Sequence, residues 1–218
     1  MESQRYRDRH DAGRQLAEKL REYANAPDVL VLALPRGGMP VAYEVARALG
    51  APLDVFVVRK LGLPGHEELA MGAVASSGVQ VLNDDIVHGL NIPDQVIEAV
   101  SARERQELSR RQQLYRDRRT PPDAAGRVII LVDDGLATGA SMRAAVLALK
   151  QQRAGRIIVA VPTASPDICE ALKADADEVI SVITPEPFLA VGHWYDDFTQ
   201  TTDEEVRDLL AHSSRDRA

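Results

Sequence analysis

Cysteine is nearly missing from this chain: Cys169 is the only one, which excludes an internal disulfide and a thiolate zinc cluster. A run of about 18 apolar residues, the length that spans a bilayer, is missing too, so no membrane partner is expected. The first ten residues are charged rather than apolar and do not resemble a secretory leader, so a cytoplasmic protein is expected. Positive charge is in deficit. Lys and Arg total 26 against 33 Asp and Glu, a net charge of -7. A general nucleic-acid binder needs the opposite balance to neutralise phosphates, so no nucleic-acid partner is expected. The five histidines (His10, His66, His88, His193, His212) have no metal-ligand spacing, so no protein metal ligands are expected. Neither a Gly-Lys-Ser/Thr phosphate loop nor a dinucleotide fingerprint occurs. Aromatics are few: five Tyr, three Phe and one Trp.

What is present is a regular alternation. A helix is expected over 6–24, then the apolar run Val29-Leu30-Val31-Leu32-Ala33-Leu34, cut off by Pro35-Arg36-Gly37-Gly38. A helix over 41–49 ends at Gly50, which fits a C-terminal cap. A second strand is expected over 53–58, a loop over 59–69, and short strands near 73–75 and 79–82. A long charged helix spans 93–118 and stops at Thr120-Pro121-Pro122, because proline cannot continue it. Strands over 128–132, 156–161 and 178–182 then alternate with helices over 141–151 and 166–174, and a last helix covers 203–211. Continuous apolar strands between helices imply an α/β fold: a Rossmann-like domain with a mostly parallel sheet flanked by helices. One domain is expected over 1–218.

One stretch is chemically distinctive: Val128-Ile129-Ile130-Leu131-Val132-Asp133-Asp134-Gly135-Leu136-Ala137-Thr138-Gly139-Ala140-Ser141. A buried strand delivers its loop to the carboxyl edge of the sheet, where open α/β sheets bind ligands. Glycines allow backbone N–H groups close to a ligand, and a helix start adds donors and partial positive charge suited to phosphate. Thr138 and Ser141 add hydroxyls. Asp133 and Asp134 would repel phosphate but accept hydrogen bonds from a vicinal diol. A phosphate and a diol side by side describe a ribose 5-phosphate. The same residues would also serve as a plain strand–turn–helix with a solvated acid pair and Ser141 as the cap.

This stretch resembles the 5-phosphoribosyl-1-pyrophosphate (PRPP) motif of the type I phosphoribosyltransferases: four apolar residues, two acids, and a loop ending Thr-Gly-x-Ser/Thr. The match is close over 129–141 and looser over the rest of 29–198. The resemblance implies the type I phosphoribosyltransferase fold with a small hood, near 183–200 and with the N-terminal helix as a further candidate. It assigns Asp133 and Asp134 to the ribose hydroxyls, and Gly135, Ala137, Thr138, Gly139, Ala140 and Ser141 to the 5-phosphate. Arg36, Gly37 and Gly38 stand where the family binds pyrophosphate in a tight loop, and an unusual peptide geometry there would be a further likeness. Arg59 and Lys60 precede the place of a mobile loop, facing pyrophosphate. That loop holds His66 but no Lys or Arg, a departure from orotate-type members. Four of the nine aromatics, Phe188, Trp194, Tyr195 and Phe198, lie between 187 and 198, where Phe188, Trp194 and Tyr195 would stack on a base or pack the tail on the sheet.

The implied reaction is transfer of 5-phosphoribosyl from PRPP to a nitrogenous base, with a mild preference for a purine-like one and release of pyrophosphate. Mg²⁺ would be bound mainly through PRPP oxygens. The expected partners are PRPP and a small-molecule base, and relatives of this kind are often homodimers. A non-catalytic PRPP- or nucleotide-sensing protein of the same fold is the alternative, and ordering of 61–69 over PRPP distinguishes the two.

Overall fold

The computed structural model describes residues 5–76, 78–116 and 122–215. Five strands form one parallel sheet: β1 (Val29–Ala33), β2 (Leu53–Val55), β6 (Val128–Val132), β7 (Arg156–Thr163) and β8 (Glu178–Ile183). Their order is β2-β1-β6-β7-β8, with every neighbouring pair parallel. Three more strands, β3 (Val58–Leu63), β4 (His66–Ala75) and β5 (Gln80–Leu82), form a separate antiparallel sheet. The α/β class and the mostly parallel sheet are as expected.

The unbroken apolar strands follow from two covered faces. Side chains alternate across a strand. Val29, Val31 and Ala33 of β1 point into one core with Ile130 and Val132 of β6, while Leu30, Leu32, Ile129 and Leu131 point into the other. The first face is covered by α1 (Arg9–Lys19), α2 (Gly38–Leu49), α4 (Asp94–Arg116) and α7 (Asp203–Arg215). The second lies under α5 (Ala140–Gln151) and α6 (Pro166–Leu172). Gly50 closes α2 with φ 63°, in the left-handed conformation of a glycine cap.

The segment expected to be a loop is instead a β-hairpin. Pro64-Gly65 makes the turn between β3 and β4, with Leu63 paired to His66 and Gly65 at φ 81°. Glycine suits that left-handed turn position. Leu61 and Met71 anchor the hairpin, both fully buried. The Gly, Pro and charged residues that suggest a loop are the hairpin's turn and its outer face. The second strand ends at Val55 rather than Val58, because Val58 begins β3. A short helix, α3 (Asp84–Gly89), was not expected, and α7 runs four residues further than the sequence pattern suggests, to Arg215. The stop at Thr120-Pro121 lies outside the described residues, and α4 is described as far as Arg116.

At that end of α4 stands a buried ion pair. Arg116 Nε donates to both carboxylate oxygens of Asp54 at 2.9 and 3.1 Å, and the guanidinium also donates to the Val55 carbonyl. Both side chains are almost out of water. Removing one member of such a pair strands the other charge. Arg116→Ala is expected to cost about 3–5 kcal/mol, measured by urea unfolding.

Candidate active site

The chain runs from β1 to β2 on one side and returns to β6 on the other, so the carboxyl ends of β1 and β6 bound a topological switch point. Open α/β sheets bind ligands in the crevice there. Two loops meet in it: 34–38 after β1 and 133–139 after β6. Leu34 N–H donates to the Val132 carbonyl at 2.8 Å, so ladder pairing continues past β1. The Pro35-Arg36 peptide is cis.

Contact between the loops is too tight for a side chain at Gly37 or Gly38. A Cβ on Gly37 would lie 2.1 Å from Asp134 Oδ2, and one on Gly38 would lie 2.7 Å from the Val132 carbonyl oxygen and 3.2 Å from Asp133 Oδ1. Gly37 therefore faces one acid and Gly38 the other. The Asp134 N–H donates to Asp133 Oδ1 at 2.8 Å. Burial, then repulsion from Asp134, pushes the Asp133 carboxyl well above the usual carboxylate range. Burial also raises Asp134, opposed by Arg9.

Arg9 comes from α1. Its Nε donates to Asp134 Oδ2 at 2.8 Å and its Nη1 to the Thr199 carbonyl at 2.8 Å. Its guanidinium carbon lies 3.9 Å from the centre of the Phe198 ring. Arg9, Arg36 and Arg111 together line a cavity of 440 Å³ with Gly37, Asp134 and Phe198. Arg111 belongs to α4 and also pairs with Glu107 at 2.9 Å; Arg36 lies 4.0 Å from Asp203.

The second loop divides in two. Gly135 is buried, with Thr163 and Val191 where a Cβ would go, and Leu136 N–H donates to the Thr163 carbonyl at 2.9 Å. Ala137, Thr138, Ala140 and Ser141 are exposed, and Gly139 starts α5 with φ 67°. The first turn of α5 has no acidic residue and no side-chain cap, so its N–H groups face outward with the partial positive charge of a helix start. Thr138, Gly139 and Ala140 line a second cavity of 820 Å³ whose opposite wall is the antiparallel sheet, including Lys60.

Successive strand residues face opposite sides, and this separates Arg59 from Lys60. Lys60 faces the cavity that Thr138, Gly139 and Ala140 line. Arg59 turns to α4 and pairs with Glu104 at 2.8 Å, so it is not among the residues gathered in the crevice. The aromatic cluster also divides. Tyr195 is buried against Tyr6 and Phe198, with ring centres 5.3 and 5.0 Å away, and its hydroxyl donates to the Asp134 carbonyl at 2.5 Å. Its hydroxyl is held protonated by burial. Trp194 is half-buried, edge-on to His193, and Phe188 is partly exposed. Tyr195 thus packs the 191–198 segment onto the acid pair, while Phe198 is the ring at the cavity. The segment is also tied to the N-terminus: Tyr6 N–H donates to Trp194 O at 2.9 Å and Asp196 N–H to Tyr6 O at 2.8 Å.

With this geometry in view, the comparisons with known proteins are specific. The family model described as phosphoribosyl transferase domain matches residues 65–195. This chain belongs to the phosphoribosyl transferase domain family. Two Mycobacterium tuberculosis proteins, provisionally named phosphoribosyl transferases, are each 47% identical over 211 residues, which is 97% of this chain. The chain spans about half the length of these relatives, 47%. The solved structure of TT1426 from Thermus thermophilus is 46% identical with a TM-score of 0.86, covering 95% of this chain and 98% of that one. The AQ2163 protein from Aquifex aeolicus, 11% identical with a TM-score of 0.51 over 93% of this chain and 84% of its own, shares the fold.

Two arginines that line the 440 Å³ cavity carry no signal in the sequence. Arg9 sits in a charged opening stretch that looks like a solvated face, and Arg111 lies among the many charges of α4. No local pattern marks either.

The raised Asp133 pKa has a thermodynamic consequence. Between the ordinary carboxylate pKa and the raised one, the folded protein binds more protons than the unfolded chain, so stability falls as pH rises through that window. Asp133→Asn removes the penalty. A higher melting temperature than the parent is expected at pH 8, with the gap closing as the pH is lowered to 4, read by calorimetry.

Proposed function

We propose that this domain binds PRPP and transfers its 5-phosphoribosyl group to a nitrogenous base with release of pyrophosphate. The observation that carries the reading is the gathering of three groups at one edge of the sheet: an acid pair and a glycine loop beside three arginines, and, along the same β6 loop, an uncapped helix start that lines a second cavity. The acids suit the ribose hydroxyls, since ionised carboxylates only accept hydrogen bonds. Residues 137–141 suit the 5-phosphate through backbone N–H groups, Thr138 and Ser141.

In the reaction a base nitrogen forms a bond to C1 of the ribose as the bond from C1 to the pyrophosphate oxygen breaks. Electrons leave with pyrophosphate, and the ring gathers positive charge on the way. Arg36, with Arg9 and Arg111 in the same cavity, faces the growing negative charge, and preorganised cations of this kind stabilise a leaving group. Asp133 and Asp134 stand on the ribose side, where the Asp134 carboxylate, held by Arg9, favours the cationic ring. Tyr195 and Val191 pack over this end of the sheet and shield it from water.

Among the described residues no group of three or more His, Cys, Asp and Glu side chains could hold a metal. The Mg²⁺ of the proposed reaction would be carried mainly by PRPP oxygens and water, since it needs few protein ligands. Bound there, Mg²⁺ would offset the charge of the diphosphate. A purine-like acceptor is the finer part of the proposal, supported by the Phe198 ring, which lines the same cavity as Asp134.

The test is calorimetric titration with PRPP and Mg²⁺, followed by a pyrophosphate-release screen over purine, pyrimidine and pyridine bases. Binding with release on one base establishes the transfer and names the acceptor. Binding without release across the panel favours a PRPP-sensing module. Absence of binding overturns the proposal. The double replacement of Asp133 and Asp134 by Asn is expected to weaken PRPP binding at least about tenfold, since one charge-assisted hydrogen bond contributes roughly 1.5–3 kcal/mol. Unchanged affinity in a folded double variant removes the ribose assignment.

A further inference from the structure

Arg9 is 9% exposed and lies 125 residues from its carboxylate partner in sequence. Burying an arginine is costly unless its donors are satisfied. Here one planar guanidinium serves three elements at once. It bonds Asp134 at the end of β6, it bonds the Thr199 carbonyl, and it stacks on Phe198. A lysine cannot reproduce this, because its ammonium is a point charge on a flexible stem rather than a fork.

We infer that Arg9 is a positioning residue of the ribose site: it holds the Asp134 carboxylate in place as an acceptor and locks the 198–199 segment to it, which makes α1 part of the active crevice. The inference rests on the proposed reading that Asp134 meets the ribose diol. Its physical basis is the crowding of two vicinal carboxylates. A protonated carboxyl donates a hydrogen bond and loses part of its capacity to accept one. The groups facing Asp134 are Asp133 beside it, Arg9 from α1, the Tyr195 hydroxyl on its carbonyl, and Arg36 and Arg111 across the cavity. Of the three arginines, Arg9 is the one hydrogen-bonded to the Asp134 carboxylate; Arg111 pairs with Glu107, and Arg36 stands nearest Asp203. Arg9 holds Oδ2 of Asp134 beside Gly37.

Arg9→Met and Arg9→Lys test this in the full chain. PRPP with Mg²⁺ is titrated by calorimetry from pH 6 to 9, each variant compared with the parent at the same pH so that the ligand's own titration cancels. Arg9→Met is expected to bind about tenfold more weakly at pH 8 and to fall further behind as pH drops, because Asp134 then takes up a proton. Arg9→Lys is expected to keep the parent's pH profile, since it keeps the charge, at a lower affinity at every pH, since the fork is lost. A merely structural arginine would shift affinity without bending the pH profile. Carboxyl ¹³C NMR of the ligand-free proteins gives a second readout: the Asp134 midpoint rises in Arg9→Met and stays near the parent's in Arg9→Lys. If the parent binds PRPP and Arg9→Met matches it in affinity and profile, the inference is overturned while the proposed function stands. If the parent binds no PRPP, the proposed function and the ribose role of Arg9 fall together, whatever the NMR midpoints. Should Arg9→Met not fold, the neutral variant Arg9→Gln takes its place: a raised Asp134 midpoint with affinity falling further behind the parent as pH drops supports the inference, and the parent's pH profile overturns it.

Discussion

Two adjacent carboxylates at the end of β6, pressed against a loop that has no side chains to spare, are the constraint around which this structure is arranged. Asp133 and Asp134 sit where Gly38 and Gly37 leave no room for a Cβ. Burial raises both pKa values, and repulsion from Asp134 adds to the rise at Asp133, a cost in stability at neutral pH. Proteins keep such costs where function needs them. The surrounding structure manages the cost rather than removing it: Arg9 takes one oxygen of Asp134, and the Tyr195 hydroxyl takes its carbonyl.

The rest of the fold supplies rigidity and shape to that pair. Two apolar cores, one on each face of the sheet, hold β1 and β6 in register from Val29 opposite Val128 to Ala33 opposite Val132. Because that register is fixed, the two loops leave the sheet level with each other and meet. The antiparallel sheet is a separate layer. It forms the far wall of the cavity lined by Thr138, Gly139 and Ala140 and is tied to α4 through Arg59 and Glu104. The hairpin is thus anchored at its base by an ion pair and by Leu61 and Met71, while its turn at Pro64-Gly65 is exposed.

The N-terminal segment and the late aromatic segment act as one unit. Tyr6, Tyr195 and Phe198 form a run of neighbouring rings, and backbone hydrogen bonds join 6–7 to 194–197. Arg9 connects that unit to the acid pair. Parts of the chain 190 residues apart therefore build one wall of the crevice.

Much of this was legible in the amino-acid order, for physical reasons. Short apolar runs such as Val29-Leu30-Val31-Leu32-Ala33, rich in β-branched residues and stopped by Pro and Gly, fit strands covered on both faces, and their alternation with helices points to the parallel sheet. Local chemistry marks the loops as well: Asp133-Asp134 with Thr138-Gly139-Ala140-Ser141, and Arg36-Gly37-Gly38, are contiguous residues whose pattern reports a strand end and a helix start. The hairpin was hidden because Gly62, Pro64 and Gly65 read as loop formers, and the burial of Leu61 and Met71 that overrides them exists only in the folded protein. Arg59 and Lys60 are adjacent in sequence, and only pairing into a strand sends them to opposite sides. Tyr195 was legible as an aromatic near the site, but its packing against Tyr6 was not. The partnership of Arg9 with Asp134 is of the same kind. It depends on strand order and helix placement across 125 residues, and an arginine in a charged stretch carries no local mark of the carboxylate it will meet.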